Sequence, residues 1–165
     1  NDKEDARYHE AYFSKFKEKW THGDYISINK LGGIRIFGRS DATLNPGGVR
    51  IGTSEIYKVV EKIDGVLDSV AISKKIKGDE KILLFVKMSK EFNDEMIALI
   101  KQRLRQECSP KHVPYKLFKV DDIPYTLNGK KIELAIKKIL NGNEVNNKSS
   151  IANPESLKYF KNISI

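Results

Sequence analysis

The sequence changes character at residues 38–48, a polar run that contains Pro46 and three glycines. Residues of this kind favour turns, so the run is typical of a connector between two folded parts. We therefore expect a first part at residues 1–40 and a compact domain at residues 41–142. The polar residues that follow predict that residues 143–165 form a loose C-terminal tail with at most one short helix.

The first part is predicted to form one helix and one β-hairpin. Large aromatic residues recur at four-residue intervals: Tyr8, Tyr12, Phe16 and Trp20. This spacing places the rings on one stripe of a helix that runs up to Gly23, and such a stripe is usually buried against protein. Two short strand patterns at residues 24–28 and 34–37 flank a glycine-containing loop, which predicts a β-hairpin too small to be stable alone.

The second part alternates between helical and strand patterns. Apolar residues follow helical spacing at residues 53–64, 94–108 and 132–140, and strand-forming residues dominate residues 67–73, 81–88 and 115–120. The order helix, strand, strand, helix, strand, helix predicts a sheet of three strands with helices packed against it. The expected fold class is therefore α+β, with an N-terminal helix and hairpin in front of a compact domain.

Composition and the cysteine count exclude several classes of protein. Of the 165 residues, 39% are hydrophobic, too many for a disordered chain. The longest apolar run, residues 82–86, is too short to cross a membrane, so no membrane partner is expected. Cys108 is the only cysteine and no secretory signal is recognisable, which favours a reducing, cytoplasmic location. None of the three histidines has a partner at metal-ligand spacing, so no metal site is expected.

The net charge of +8, from 30 Lys and Arg against 22 Asp and Glu, suits a polyanionic partner. Charge alone leaves nucleic acid, a phosphorylated cofactor and mere solubility open. Half of the excess, +4 from seven lysines against three acidic residues, lies at residues 110–141. A basic nucleic-acid-binding module is therefore the alternative function, although the basic residues are dispersed and no aromatic RNA-binding motif lies on a predicted strand.

Three groups of residues could carry chemistry. Asp24 follows a glycine turn at the start of a strand, where it could accept hydrogen bonds from a sugar or be an ordinary turn aspartate. Arg39, Asp41 and Arg50 lie around the connector, whose glycines permit close approach of a ligand, although a connector needs no ligand. Lys130 lies at the tip of a turn before the last helix, where a solvated lysine is the alternative. A purely structural interaction domain would be favoured if the three groups lay far apart.

In order and spacing these groups resemble the C-terminal part of the acyl-CoA synthetases, which are members of the adenylate-forming superfamily. The motifs that carry the resemblance lie at residues 20–24, 38–41, 47–52 and 124–131. The resemblance implies that Asp24 and Arg39 contact the ribose of a bound nucleotide and that Arg50 approaches its phosphate. It also implies that Asp41 is the hinge residue of a mobile domain.

The same resemblance implies roles for two turns. Gly47 and Gly48 would line the channel for the pantetheine arm of CoA, and Lys130 would be the catalytic lysine of adenylate formation. A lysine that meets both the carboxylate and the α-phosphate neutralises charge where it develops. ATP and CoA are then the substrates, and Mg²⁺ is expected to accompany ATP with its ligands outside this chain.

The resemblance also implies a partner for the chain. Residues 1–40 would be the end of a larger N-terminal domain, and residues 41–142 would be the mobile C-terminal domain. The larger domain would hold the acid pocket, the glycine-rich nucleotide loop and most of the adenine site. The 165 residues alone are therefore expected to be inactive.

Overall fold

The computed structural model describes residues 5–145, 148–161, 163 and 165, with the backbone alone for Arg7. Its strands form two sheets that do not merge. The first part holds a helix and an antiparallel hairpin: α1 (Ala6–Phe13), β1 (Asp24–Ile28) and β2 (Ile34–Arg39). No helix among the described residues is long and apolar enough to cross a membrane.

The compact domain has the predicted order of helices and strands. Its elements are α2 (Thr53–Val60), β3 (Val66–Ile76), β4 (Asp79–Met88), α3 (Asp94–Glu107), β5 (Lys116–Lys119) and α4 (Glu133–Leu140). β3 pairs antiparallel with β4, and β5 lies parallel to β4 on its other edge. The α+β fold with a three-stranded sheet is therefore confirmed. Short 3₁₀ helices lie at Pro46–Gly48, Pro110–His112, Lys148–Ser150 and Pro154–Phe160.

Alternation along β4 sends its side chains into two different cores. Leu84 and Val86 pack with residues of α2 and α3, whereas Leu83 and Phe85 pack with residues of α4 and the C-terminal tail. All four side chains are fully buried. The sheet is thus covered on both faces, which explains why the sequence of its central strand is apolar without interruption at residues 82–86.

α1 is shorter than predicted, and its aromatic stripe is exposed. The helix has eight residues, and the rings of Tyr8, Phe16 and Trp20 are 47%, 54% and 53% exposed. The burial predicted for this stripe is therefore not found within the described residues. Glu18 has a positive φ of 60°, so the chain turns before Trp20, whose ring then stacks on Tyr12 with centroids 5.4 Å apart.

The hairpin contacts the compact domain along a seam formed by Phe37 of β2 with Gly52 and Ser54. The hydroxyl of Ser54 donates a hydrogen bond to the carbonyl oxygen of Phe37 at 3.2 Å. Gly52 approaches so closely that a Cβ there would lie 2.2 Å from the same oxygen. Beside the seam, the guanidinium of Arg35 lies 3.6 Å from the carboxylate of Glu55.

Residues 151–160 are packed, which corrects the prediction of a loose tail. Ile151, Leu157 and Phe160 are buried, and the ring of Phe160 lies 5.0 Å from that of Phe85 in the core. Leu157 and Phe160 are three residues apart, so both face the same side of their 3₁₀ helix. In the sequence, the polar residues 143–150 make the few apolar residues of this segment hard to recognise as a packed element.

Candidate functional site

Asp24, Arg39 and Asp41 lie together where the hairpin meets the connector. Asp24 and Arg39 are paired across β1 and β2. Arg39 donates to Asp41 from Nε to Oδ1 at 3.3 Å and from Nη2 to Oδ2 at 3.1 Å, and its Nη1 donates to the carbonyl of His22 at 3.2 Å. The hydrogen bonds with Asp41 raise the pKa of Arg39. This bidentate pairing fixes the plane of the guanidinium.

His22 is a member of this cluster that sequence reasoning missed. Its Nδ1 lies 2.5 Å from Oδ2 of Asp24. An ionised carboxylate only accepts hydrogen bonds, so Nδ1 carries the proton in this contact. The contact orients the Asp24 carboxylate, whose side chain is 25% exposed. In the sequence, the one sign of this contact is that His22 and Asp24 are two positions apart.

Arg50 lies beside the same hairpin. Its guanidinium is 5.7 Å from the centre of the Tyr25 ring, in cation–π contact with the residue that follows Asp24. A surface concavity of about 200 Å³ is lined by Arg50, Tyr25, Ser40 and Thr43 among others. The structure therefore brings Arg50 next to the Asp24 strand from the far end of the connector.

The Gly47–Gly48 turn lies against Asp79, the first residue of β4. The N–H of Gly47 donates to Oδ1 of Asp79 at 3.3 Å. Gly47 has a φ of 56°, a conformation that disfavours a side chain, and Nζ of Lys111 would lie 2.7 Å from a Cβ there. A Cβ at Gly48 would meet no atom within 4 Å beyond its chain neighbours, so this glycine faces open space. Asp79 and Lys111 are neighbours of this turn that sequence reasoning did not identify.

Lys130 lies in a tight turn that is held by hydrogen bonds between its backbone and Thr126. The N–H of Thr126 donates to the carbonyl of Lys130 at 2.8 Å, and the N–H of Lys130 donates to the hydroxyl of Thr126 at 3.1 Å. Gly129 supplies the positive φ, 71°, that the turn requires. The Lys130 side chain is exposed and makes no ion pair with any described residue.

Lys131 has the opposite environment. Its ammonium lies 2.7 Å from Asp68 and 2.5 Å from Glu61 and donates to the carbonyl of Ser69 at 2.6 Å. It also lies 4.2 Å from the centre of the Tyr57 ring. The two adjacent lysines therefore have different environments, since Lys131 forms ion pairs within the fold and the Lys130 side chain is exposed.

The structure thus joins two of the three predicted groups. Asp24, Arg39 and Asp41 are in direct contact or strand pairing, and Arg50 is adjacent to them. Lys130 lies on a separate turn, and among the described residues no hydrogen bond or ion pair joins it to this cluster. The same residues contain no group of three or more His, Cys, Asp or Glu side chains that could hold a metal ion.

Comparison with known proteins gives extensive sequence matches. Acetoacetyl-CoA synthetase of Caenorhabditis elegans is 49% identical over 165 residues, which is 97% of this chain and 24% of the relative. The enzyme of the same name from Rhizobium meliloti (strain 1021) is 46% identical over 162 residues, covering 97% of this chain and 25% of the relative. The chain is homologous to the acetoacetyl-CoA synthetases. It spans about a quarter of the length of these curated relatives. No family model matches the chain.

Solved structures agree with the sequence matches. The structure of acetoacetyl-CoA synthetase from Streptomyces lividans superposes with a TM-score of 0.90 at 35% identity, covering 98% of this chain and 25% of that one. The matched region is the C-terminal domain of the acyl-CoA synthetases, as the sequence motifs predict. The departures from the commoner family pattern, among them Ala42 for a second aspartate and Val49 for a histidine, predict a likeness to acetoacetyl-CoA synthetase when taken with residues 124–131 and 153–157. The relatives and the solved structure found by comparison carry that name. These relatives lend no support to the nucleic-acid-binding alternative.

Proposed function

We propose that the chain is the C-terminal, mobile part of an ATP-dependent ligase that converts acetoacetate and CoA into acetoacetyl-CoA, AMP and diphosphate. The observation that carries the proposal is the identity of 44–49% to acetoacetyl-CoA synthetases over nearly the whole chain. Because the chain spans a quarter of those relatives, its partner is a larger N-terminal domain that holds the acid pocket and most of the nucleotide site.

In the first half-reaction, a carboxylate oxygen of acetoacetate attacks the α-phosphorus of ATP and diphosphate leaves. We assign to Lys130 the charge that stabilises this step. Two anions meet there, and an ammonium between them neutralises charge as it develops in the transition state. The exposure of Lys130 and its lack of an ion pair with described residues support the assignment. Lys131 is unsuited to this catalytic role because its ammonium already forms ion pairs with Asp68 and Glu61.

Asp24, Arg39 and Arg50 are proposed to hold the nucleotide. The Asp24 carboxylate, oriented by His22, can accept hydrogen bonds from the two hydroxyls of ribose. Arg39 lies opposite Asp24 in the hairpin and can donate to the same sugar. Arg50 is exposed and lies beside the cluster, where its charge suits a phosphate.

Asp41 is proposed to be the hinge between the two half-reactions. It follows the hairpin directly and is held only by Arg39 among the contacts of its side chain with described residues. Rotation here would withdraw Lys130 and bring the Gly47–Gly48 turn to the site, so that the CoA thiolate displaces AMP from the adenylate. The open space around Gly48 suits a channel for the pantetheine arm.

Mg²⁺ is proposed to enter with ATP. Its ligands are proposed to be the phosphates of ATP and residues of the larger domain. A cytoplasmic location is proposed as well, because a chain with a single cysteine needs no oxidising compartment.

The test is an assay of the full-length protein that carries these residues. With ATP, CoA and acetoacetate it should release AMP and acetoacetyl-CoA in equal amounts, and neither should appear when acetoacetate is omitted. The 165 residues alone should show no turnover. Turnover by the 165 residues alone, or no thioester from the full-length protein, would contradict the proposal. Tight binding of generic single-stranded DNA that weakens steeply with salt would favour the alternative instead.

A further inference from the structure

The turn that carries Lys130 has a neighbour from the C-terminal tail. Residues 125–127 pair on one side with Lys130 and Lys131 and on the other side with residues 150–152. In the second pairing, the N–H of Leu127 donates to the carbonyl of Ser150 at 3.1 Å, and the N–H of Ala152 donates to the carbonyl of Tyr125 at 2.8 Å. Residues 125–127, which precede the turn that carries Lys130 (the lysine turn), therefore lie between residues 130–131 and residues 150–152.

Asn153 completes this pairing with its side chain. Its Oδ1 accepts from the N–H of Tyr125 at 2.9 Å, and its Nδ2 donates to the carbonyl of Ile123 at 2.8 Å. The residue between them is Pro124, which has no N–H to offer. Nδ2 also donates to Oδ2 of Asp122 at 2.5 Å. One amide thus ties the residues on both sides of the proline to the tail.

The tail is fixed to the core immediately after Asn153. Ser156 donates from both its N–H and its hydroxyl to the Asn153 carbonyl, at 3.0 and 2.6 Å. Phe160, four residues on, is buried against Phe85 of β4. The lysine turn has no such anchor at its tip, since Leu127 is 70% exposed. Its position is therefore determined by the segments that flank it.

We propose that Asn153 is a positioning residue for Lys130, acting through residues 123–126. This inference rests on the proposed function, because it assigns Asn153 to the adenylate-forming step that Lys130 serves. Asn153 touches no proposed substrate site. Its effect is to hold the base of the turn so that the lysine ammonium reaches the α-phosphate in one geometry. Misplacement of a reacting group by about 1 Å can cost about 100-fold in rate.

The experiment uses the full-length protein and three variants. Asn153→Ala removes both the donor and the acceptor. Asn153→Asp keeps an acceptor for Tyr125 but loses the donor and places a carboxylate beside Asp122. Asn143→Ala is the matched control, since Asn143 is an exposed asparagine of the same tail whose side chain makes no hydrogen bond with any described residue. Each half-reaction is measured separately, the first by acetoacetate-dependent exchange of diphosphate into ATP.

We expect Asn153→Ala and Asn153→Asp to slow adenylate formation by roughly 10-fold or more, with unchanged KM for ATP and acetoacetate. Thioester formation from pre-made acetoacetyl-adenylate should be unaffected, because Lys130 is withdrawn in that step. Hydrogen exchange should accelerate at residues 125–131 and stay unchanged in β3 and β4. Asn143→Ala should match the wild type in every measurement.

Two results would overturn the role of Asn153 while leaving the ligase intact. One is wild-type adenylate formation in both Asn153 variants. The other is an equal loss of both half-reactions with faster exchange throughout the domain, since that is what general destabilisation produces. A wild-type full-length protein that forms no adenylate would instead overturn the proposed function, and the role of Asn153 with it.

Discussion

The ammonium of Lys131 lies 2.7 Å from Oδ1 of Asp68, in an environment that leaves 15% of the lysine side chain exposed. The residue before it, Lys130, is exposed and makes no ion pair with any described residue. One turn therefore presents one lysine to the interior and one to the outside. The pair can be separated by experiment, because substitution of each should change a different property.

Lys130→Ala in the full-length protein should lower the rate of adenylate formation by roughly two to three orders of magnitude, the effect of removing a preorganised charge. Thioester formation from pre-made adenylate should largely survive. Diphosphate exchange and single-turnover thioester assays measure the two steps. If Lys131→Ala reproduced this pattern and Lys130→Ala did not, the catalytic lysine would be misassigned.

Lys131→Met should destabilise the fold by about 3 kcal/mol, because it leaves Asp68 and Glu61 without their cation. Urea denaturation of the 165-residue chain measures the change. Lys130→Met is the matched control and should change the free energy of unfolding by less than about 0.5 kcal/mol, as exposed substitutions usually do. Equal effects of the two substitutions would show that the ion pairs of Lys131 do not stabilise the domain.

Asp41→Pro in the full-length protein should retain adenylate formation and lose the thioester step. Proline fixes its own φ and restricts Ser40 before it, which stiffens the proposed hinge. Asp41→Ala is the control, because it also loses the contact with Arg39 but leaves the backbone free. The hinge assignment fails if the alanine and proline variants carry out both half-reactions equally well.

The stability of the chain should fall as the pH drops below about 6.5, the ordinary pKa of histidine. Burial lowers the pKa of His112 and outweighs the nearby Glu55 carboxylate, 3.8 Å from Nε2. The unfolded chain therefore binds a proton at pH values where the folded chain does not, so the unfolding free energy decreases until the folded pKa is passed.

Urea denaturation of the chain between pH 7.5 and 5.5 measures this dependence. The contribution of one histidine cannot exceed about 1.4 kcal/mol per pH unit. His112→Gln should flatten the profile, whereas His9→Gln, at an exposed position, should leave it unchanged. A profile that keeps its slope in His112→Gln would assign the dependence to other groups.

The elements of the compact domain were predictable because their signals are local. Ile56, Val59 and Val60 repeat at helical spacing, and the side chains of β4 alternate between two cores in a continuous apolar run. The exposure of the aromatic stripe around Trp20 was not predictable. A sequence pattern shows that one face of a helix is apolar, but it does not show whether the surface that would cover this face lies within the same chain. Residues 1–40 carry such a face.

The candidate site could be proposed from the sequence where a residue type has a chemical reason to be at one place in a motif, as with Asp24 and Arg39, which the structure pairs across the hairpin. It was not predictable where the role depends on contacts across the chain. Asn153 bonds Tyr125, 28 residues away, and no local pattern marks that relationship. Phe160 was missed for a similar reason, because its partner Phe85 belongs to a strand far back in the sequence.

The seam between Phe37 and Gly52 has a consequence for the proposed rotation about Asp41. The hairpin and the compact domain are joined there by a backbone approach that allows no side chain and by the hydrogen bond from Ser54. A rotation must break these contacts, and each net hydrogen bond lost costs about 1 kcal/mol, or roughly a fivefold change in population. In the proposed rotation, the strength of this seam would determine how often the domain leaves the present orientation.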